Sequence, residues 1–144
     1  MEYESDYELL KKEIDACITE GHVEACKDIF DNYHAVDIDE VLDDVDSTDL
    51  QYFLFMLDPE NIAALLENAE DELQVKIARF YSTTELIDIF SYMTNADVAD
   101  LLGLLPTIKR KDILNYMKKS ESNILNMILS YDDEIGRASC RDRV

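Results

Sequence analysis

Apolar residues recur with a period of twelve along this chain, and the pattern runs without a gap from residue 34 to residue 129. Eight twelve-residue units fill this range, and two positions are apolar in every unit. The eighth positions are Val41, Phe53, Leu65, Ile77, Ile89, Leu101, Ile113 and Leu125. The twelfth positions are Val45, Leu57, Ala69, Tyr81, Met93, Leu105, Met117 and Leu129. Because self-similarity at a fixed period is typical of repeat architectures, the sequence predicts a repeat protein.

The apolar positions within one unit follow the spacing of a short helix. The fifth position is usually apolar too, at Ile38, Leu50, Ile62, Leu86 and Val98, which gives the i, i+3, i+4, i+7 spacing of one helix face. One continuous helix is excluded, since twelve residues at about 100° each would turn the apolar stripe by about 120° per unit. Helices this short need packed neighbours to be stable in water. The prediction is an all-α solenoid of about ten short helices, with an irregular helical bundle as the alternative.

Helix-start residues fall where the units begin. Four units open with a residue that can cap a helix: Asp46, Asp58, Ser82 and Thr94. In three of these units an acidic residue follows three positions later, in the spacing of a capping box, at Asp49, Glu85 and Asp97. Pro59 and Pro106 also lie at unit starts, where a missing N–H is tolerated. The turns between the predicted helices therefore have the expected chemistry.

The two ends of the chain differ from the repeat. Residues 1–33 predict two capping helices with Gly21 as the stop between them, and residues 34–134 form the predicted helical-repeat domain. Residues 135–144, IGRASCRDRV, break the repeat and are basic in an acidic chain. With Glu134 they resemble the translated read-through of a sequencing adapter. We expect this tail to be non-native and the natural protein to continue differently beyond Asp133.

The charge of the chain restricts its partners. It carries 33 acidic and 13 basic residues, a net charge of −20. Nucleic acid is not expected as a partner, because its binding depends on Lys and Arg contacts to phosphates. Cations or a basic protein surface suit this charge, although acidity can also serve solubility alone. No apolar run approaches the length of a membrane span, so we expect the fragment to be soluble and not to cross the membrane.

Two clusters of potential ligands are interpreted as structural. The set Cys17, His22, Cys26 and His34 has spacings that match no zinc pattern, and both cysteines fall on apolar helix faces, so we predict buried core residues. An acidic cluster occupies residues 37–49. It could gather cations diffusely, but the prediction is a solvated helix face, as charge runs usually are.

Four short segments resemble the cytoplasmic N-terminal domain of MgtE-type magnesium transporters and channels. They are residues 34–38 (HAVDI), 55–60 (FMLDPE), 96–106 (ADVADLLGLLP) and 129–133 (LSYDD). Their order and spacing carry the resemblance, which covers most of residues 1–134. It implies a right-handed superhelix at the cytoplasmic face of the bacterial inner membrane. It further implies CBS domains and a transmembrane domain in the same full-length protein, which is expected to be a homodimer.

The resemblance also implies a function and a metal site. The family's domain is expected to sense intracellular Mg²⁺ through acidic residues and to gate transport by docking on the CBS domains. The family's acidic-acidic-x-Ala-Asp run corresponds to Ala96, Asp97 and Asp100 here, and the first acidic position is lost. Asp100 is therefore the predicted metal ligand. Asp97 is a possible substitute with a competing role in helix capping.

A scaffold and an enzyme are the two other classes of function to compare with magnesium sensing. The middle region of the flagellar motor switch protein has a similar repeat of short helices, so a scaffold for protein–protein interaction is the alternative. An enzyme is not predicted. The sequence has no Gly-rich phosphate loop and no nucleophile elbow, and it holds only two histidines.

Overall fold

The computed structural model describes residues 6–130, and every regular element in that range is a helix. Nine of the helices are α1 Asp6–Glu20, α2 Val23–Asn32, α3 Ala35–Leu42, α4 Ser47–Phe55, α5 Pro59–Asn68, α6 Asp71–Ala78, α7 Thr83–Phe90, α8 Asn95–Leu104 and α9 Thr107–Tyr116. A tenth, α10, runs over residues 119–130. The all-α class and the division into about ten short helices are confirmed. The right-handed superhelix stays a prediction, as do the domain boundaries.

The helices begin at the predicted residues. Asp46, Asp58, Ser82 and Thr94 are the N-caps of α4, α5, α7 and α8. The capping box at Ser82 is complete: Glu85 N donates to Ser82 Oγ at 3.3 Å, and Ser82 N donates to Glu85 Oε1 at 2.8 Å. Each such pair satisfies backbone N–H groups that the first helical turn leaves without partners.

Gly21 separates α1 from α2, as predicted. Its φ of 64° lies in the left-handed region, which a residue without Cβ enters at little cost. Its N–H donates to Cys17 O at 2.8 Å and so closes the end of α1. Residue 22 then starts the next helix, because His22 Nδ1 accepts from Ala25 N at 3.1 Å.

The repeat register is confirmed by burial. All eight apolar residues at the eighth position are buried, with at most 2% of their surface exposed. The fifth position holds three polar residues. One of them, Ser122, is buried, and its Oγ donates to Lys119 O at 3.2 Å. Gln74, also at a fifth position, is half-buried and donates from Nε2 to Leu66 O at 2.5 Å. Ser122 and Gln74 thus fit the register because their side chains bind backbone carbonyls, whereas Arg110, the third polar residue, is only half-buried.

The described residues divide into two compact units, one ending at residue 80 and one beginning at residue 81. In the first unit, α1 packs against α2, α3 and α4, while α5 contacts α3 and α6. Tyr7 donates a hydrogen bond to the Asp44 carboxylate, and Tyr33 donates to Glu13 Oε2 at 2.5 Å. In the second unit, α7 packs against α9. Lys109 on α9 donates to Tyr81 O, just before α7, at 3.2 Å.

Candidate functional site

The two predicted metal ligands, Asp97 and Asp100, lie on α8 of the second unit. They are the only charged residues of this helix. Residues three apart are neighbours on a helix surface, with about 5–6 Å between their Cβ atoms, so α8 brings the two carboxylates to one face. Asp100 is exposed, and Asp97 is half-buried. Leu101 and Leu102, which follow them, are fully buried and anchor the helix from its other side.

Asp97 takes part in the N-cap of α8, the role that was expected to compete with metal binding. It does so through its backbone N–H and not through its carboxylate. Asp97 N donates to Thr94 Oγ1 at 3.2 Å. The reciprocal bond, in which the Asp97 carboxylate would accept from Thr94 N, does not accompany it within the described residues, unlike the complete box at Ser82. The cap therefore does not consume the Asp97 carboxylate.

The acidic cluster at residues 37–49 is mostly a solvated surface, as predicted, with one correction. Five of its seven acidic residues are exposed, namely Asp37, Glu40, Asp43, Asp44 and Asp46, and Asp49 is half-buried. The prediction is wrong for Asp39, which is only 4% exposed. Asp39 occupies the buried side of α3 beside Ile38 and Leu42, because its position in the helix turns it toward the interior.

Asp39 is an unusual buried group. Neither carboxylate oxygen has a hydrogen-bond partner within the part of the chain that the structure describes. Burial, together with the nearby Asp43 carboxylate, raises the pKa of Asp39 to about 8. Both causes disfavour the charged form, the first because water is lost and the second because like charges repel. A titratable group perturbed in this way is a candidate for function.

One pattern in the sequence could have revealed Asp39. It stands at the sixth position of its unit, and that position holds Ala63, Val75, Ile87 and Ala99 in the four units from residue 58 to residue 105. The other three units carry Gln51, Lys111 and Asn123 there, all exposed, so an acidic residue at this position indicates a buried side chain only weakly. The surrounding run of aspartates hid this indication, because it matched the pattern of a solvated face.

The two cysteines of the first unit are core residues. Cys17 and Cys26 are free and buried, as predicted. Burial raises the pKa of the Cys26 thiol to about 12, and its Sγ donates to Met56 Sδ at 3.7 Å. His22 and His34 are the N-caps of α2 and α3. In residues 6–130, no group of three or more His, Cys, Asp or Glu side chains is arranged to hold a metal ion.

Two predictions fall outside the described residues. The proposed read-through tail, residues 135–144 with Cys140, is one. The other is residues 131–133, which complete the last segment of the family resemblance. Within residues 6–130, none of the helices combines the length and the apolar content that a membrane span requires.

Comparison with known proteins places the repeat in a family. A family model described as the MgtE intracellular N domain matches residues 33–134. This match covers more than half of the chain. The chain belongs to this family. Asp97 and Asp100 both lie inside the matched region, as do Asp39 and all eight repeat units.

A solved structure supports the fold of this MgtE intracellular N domain. The chain is similar to a structure described as the crystal structure of the soluble part of a magnesium transporter, with a TM-score of 0.77 over 90% of this chain. The sequence identity is 18%, so the similarity establishes the fold alone. The chain spans 51% of that structure's length. No curated protein matches the sequence.

Proposed function

We propose that this chain is the cytoplasmic regulatory part of a magnesium transporter or channel, with no catalysis of its own. It senses intracellular Mg²⁺ through acidic residues and gates transport by docking on CBS domains of the same full-length protein. The family match over residues 33–134 is the observation that carries this proposal. That family consists of a transporter's intracellular domain and is not a family of enzymes.

Electrostatics gives the sensing mechanism. Two carboxylates at about 4 Å repel one another by about 1 kcal/mol in water and by about 4 kcal/mol near a protein surface. A divalent ion between them reverses the sign of this interaction. Mg²⁺ keeps much of its water, so it needs only one or two carboxylates from each surface. A swing of about 5.5 kcal/mol takes a two-state equilibrium from mostly open to mostly closed, and a few such bridges supply it.

Asp100 and Asp97 are the proposed ligands on this side of the interface. They lie three residues apart on one face of α8, and Asp100 is exposed. The CBS domains would contribute the opposing carboxylates. We also propose that the full-length protein is a homodimer with a transmembrane domain, and that this part lies at the cytoplasmic face of the bacterial inner membrane.

The alternative is a helical-repeat scaffold for protein–protein interaction. One observation suits it: residues 81–130 carry six acidic and five basic residues, and a docking scaffold is expected to carry both signs. The response of α8 to magnesium separates the two functions, because a scaffold has no reason to bind the ion at one helix.

A magnesium titration of the 144-residue chain, followed by amide NMR at constant ionic strength, tests the sensing role. We expect weak binding, since half of each site belongs to the CBS partner, with the largest shifts at residues 95–101. Asp100→Asn should abolish this local response. Asp112→Asn is the matched control, because Asp112 is exposed on α9 of the same unit and its loss changes the net charge equally.

The result that contradicts the proposal is a set of small, uniform shifts that Asp100→Asn leaves unchanged. The domain would then carry only a diffuse cloud of cations. Sequencing the gene beyond Asp133 tests the transporter assignment separately. CBS domains followed by membrane helices support it, and a coding sequence without either one contradicts it.

A further inference from the structure

The most unusual polar group in the described structure is far from α8 in sequence and lies in the other unit. Asp39 is 96% buried, and both of its oxygens lack a hydrogen-bond partner among residues 6–130. Buried polar groups in proteins are almost always hydrogen-bonded, so each exception calls for an explanation. A missing ligand is one such explanation, since an occupant with donors would satisfy both oxygens.

Asp39 lines a cavity of about 140 Å³ in the first unit, between α3 and the junction of α5 with α6. The other lining residues are Val36, Glu40, Asp43, Asn68, Glu70 and Leu73. The three acidic ones are exposed, so they form a negatively charged rim that solvent reaches. Leu73 is buried and Val36 is half-exposed, which gives the cavity apolar walls. The cavity therefore combines apolar walls, an acidic rim and one enclosed carboxylate.

This combination fits an organic cation better than a metal ion. Mg²⁺ and Ca²⁺ prefer a shell of oxygen ligands and water, to which Val36 and Leu73 contribute nothing. The described side chains also include no set of three ligands arranged around a metal. A primary ammonium on an aliphatic stem matches each part of the cavity: the stem packs on the apolar walls, and the head donates up to three hydrogen bonds.

We propose that the cavity around Asp39 is a binding site for an alkylammonium group, the chemical class of a lysine side chain and of small aliphatic amines. The ammonium pairs with the Asp39 carboxylate, and the acidic rim of Glu40, Asp43 and Glu70 attracts it. Hydrogen bonds between two charged groups are stronger than neutral ones, and enclosure strengthens them further. The ligand thereby supplies the donors that Asp39 lacks. This inference does not depend on the magnesium role of α8.

The test uses the 144-residue chain and two amine probes, blocked lysine (Nα-acetyl-lysine N-methylamide) and diaminobutane, with tetramethylammonium and MgCl₂ as comparison cations at the same ionic strength. Carboxyl-carbon NMR follows Asp39, and amide NMR follows residues 36–43 and 68–73. We expect a saturable shift of the Asp39 signal with at least one amine. Its pKa should also fall from about 8 on binding, because a neighbouring ammonium favours the charged carboxylate. Tetramethylammonium has no N–H donor and should leave the signal unchanged.

Two variants locate the site. Asp39→Asn keeps the side-chain shape and removes the charge, so it should weaken amine binding about tenfold or more. Asp37→Asn removes the same charge from an exposed position on the same helix and should weaken binding by less than about threefold. Tighter binding of blocked lysine than of diaminobutane identifies a partner protein's lysine as the source of the ammonium, and the reverse identifies a free amine.

Three results overturn the proposal. The first is an Asp39 signal and pKa that neither amine changes in the wild-type chain, a readout that does not depend on any variant folding. The second is a response to MgCl₂ equal to that with the amines, which would make the cavity a metal site. The third is unchanged amine affinity in Asp39→Asn.

Discussion

The two compact units share one repeat but carry very different charge. Residues 6–80 contain 21 acidic and five basic residues, whereas residues 81–130 contain six and five. The residues at the helix starts differ in part in the same sense. In the first unit α4, α5 and α6 begin after Asp46, Asp58 and Glu70, although α2 and α3 begin after histidines, and in the second unit α7 and α8 begin after Ser82 and Thr94. Since both units build the same short helices, the apolar register specifies the helices and leaves charge free to vary between them.

The buried polar groups of the two units differ as well. In the first unit, the enclosed Asp39 carboxylate has no partner within the described residues. In the second, the enclosed Ser122 hydroxyl is bonded to Lys119 O, and the half-buried Tyr81 hydroxyl lacks a described partner. Tyr81 stays neutral, because burial raises the pKa of its hydroxyl further above its usual value. Among residues 6–130, a buried carboxylate that can become charged near neutral pH therefore lies in the first unit alone. This contrast and the difference in charge lead to three predictions.

The largest effect is expected from placing a buried carboxylate in the second unit, to match the buried Asp39 of the first. Leu101 is fully buried at the eighth position of its repeat. Leu101→Asp should lower the free energy of unfolding by about 3–5 kcal/mol, because it combines lost packing with an unpaired charge in the core. Urea unfolding followed by circular dichroism measures this change.

Ala96→Asp is the matched control for that experiment. It introduces the same side chain at an exposed position in the first turn of α8, where a negative charge is favourable, so the free energy of unfolding should change by less than about 0.5 kcal/mol. Wild-type stability in Leu101→Asp would disprove the repeat register.

A smaller effect should follow from removing the buried carboxylate of the first unit. The pKa of Asp39 is about 8 in the folded chain and about 3.9 in an unfolded one. Between these values the folded state binds more protons, so the stability of the wild type falls as the pH rises from about 4 to about 8. Asp39→Asn lacks this loss. The full difference between the two pKa values corresponds to at most about 5–6 kcal/mol, and relaxation and water penetration around the buried charge reduce this, so Asp39→Asn should be more stable than wild type by about 2 kcal/mol near pH 9. The difference should vanish near pH 4.

Urea unfolding at several pH values measures this crossover. Asp37→Asn, an exposed change on the same helix, should keep the pH profile of the wild type. Parallel pH profiles for wild type and Asp39→Asn would show that Asp39 is ionised at low cost, and the contrast between the two interiors would then disappear.

The smallest effect tests the charge difference itself. Raising NaCl from about 20 to about 200 mM screens repulsion between exposed carboxylates. It should stabilise residues 6–80 by about 0.5–1 kcal/mol and residues 81–130 by less, because only the first unit has a large excess of one sign. Hydrogen exchange resolved by residue separates the two responses. Equal slowing of exchange in both units would mean that the excess charge is spaced widely enough to have no effect.

Much of this fold could be predicted from the sequence, because its determinants are local. The period of twelve identified the eight buried eighth positions, since a short helix fixes which residues share a face. The N-caps Asp46, Ser82 and Thr94 were predicted because a capping side chain acts on backbone only two or three residues away. Gly21 was predicted to stop α1 because few other residues enter the left-handed conformation.

The candidate sites depend on more than local pattern. The family resemblance indicated Asp97 and Asp100, and the structure adds that one helix face carries both and that the cap leaves the Asp97 carboxylate unused. The sequence wrongly predicts a solvated Asp39, because a run of aspartates gives the same pattern whether every side chain is solvated or one points inward. Only packing against α5 and α6 encloses that carboxylate and forms the acidic cavity around it. The sequence by itself thus determined the helices, their ends and their buried faces, whose physical causes lie within a few residues of the chain. The tertiary structure decided which one of many carboxylates is buried, because desolvation depends on neighbours that are distant in sequence.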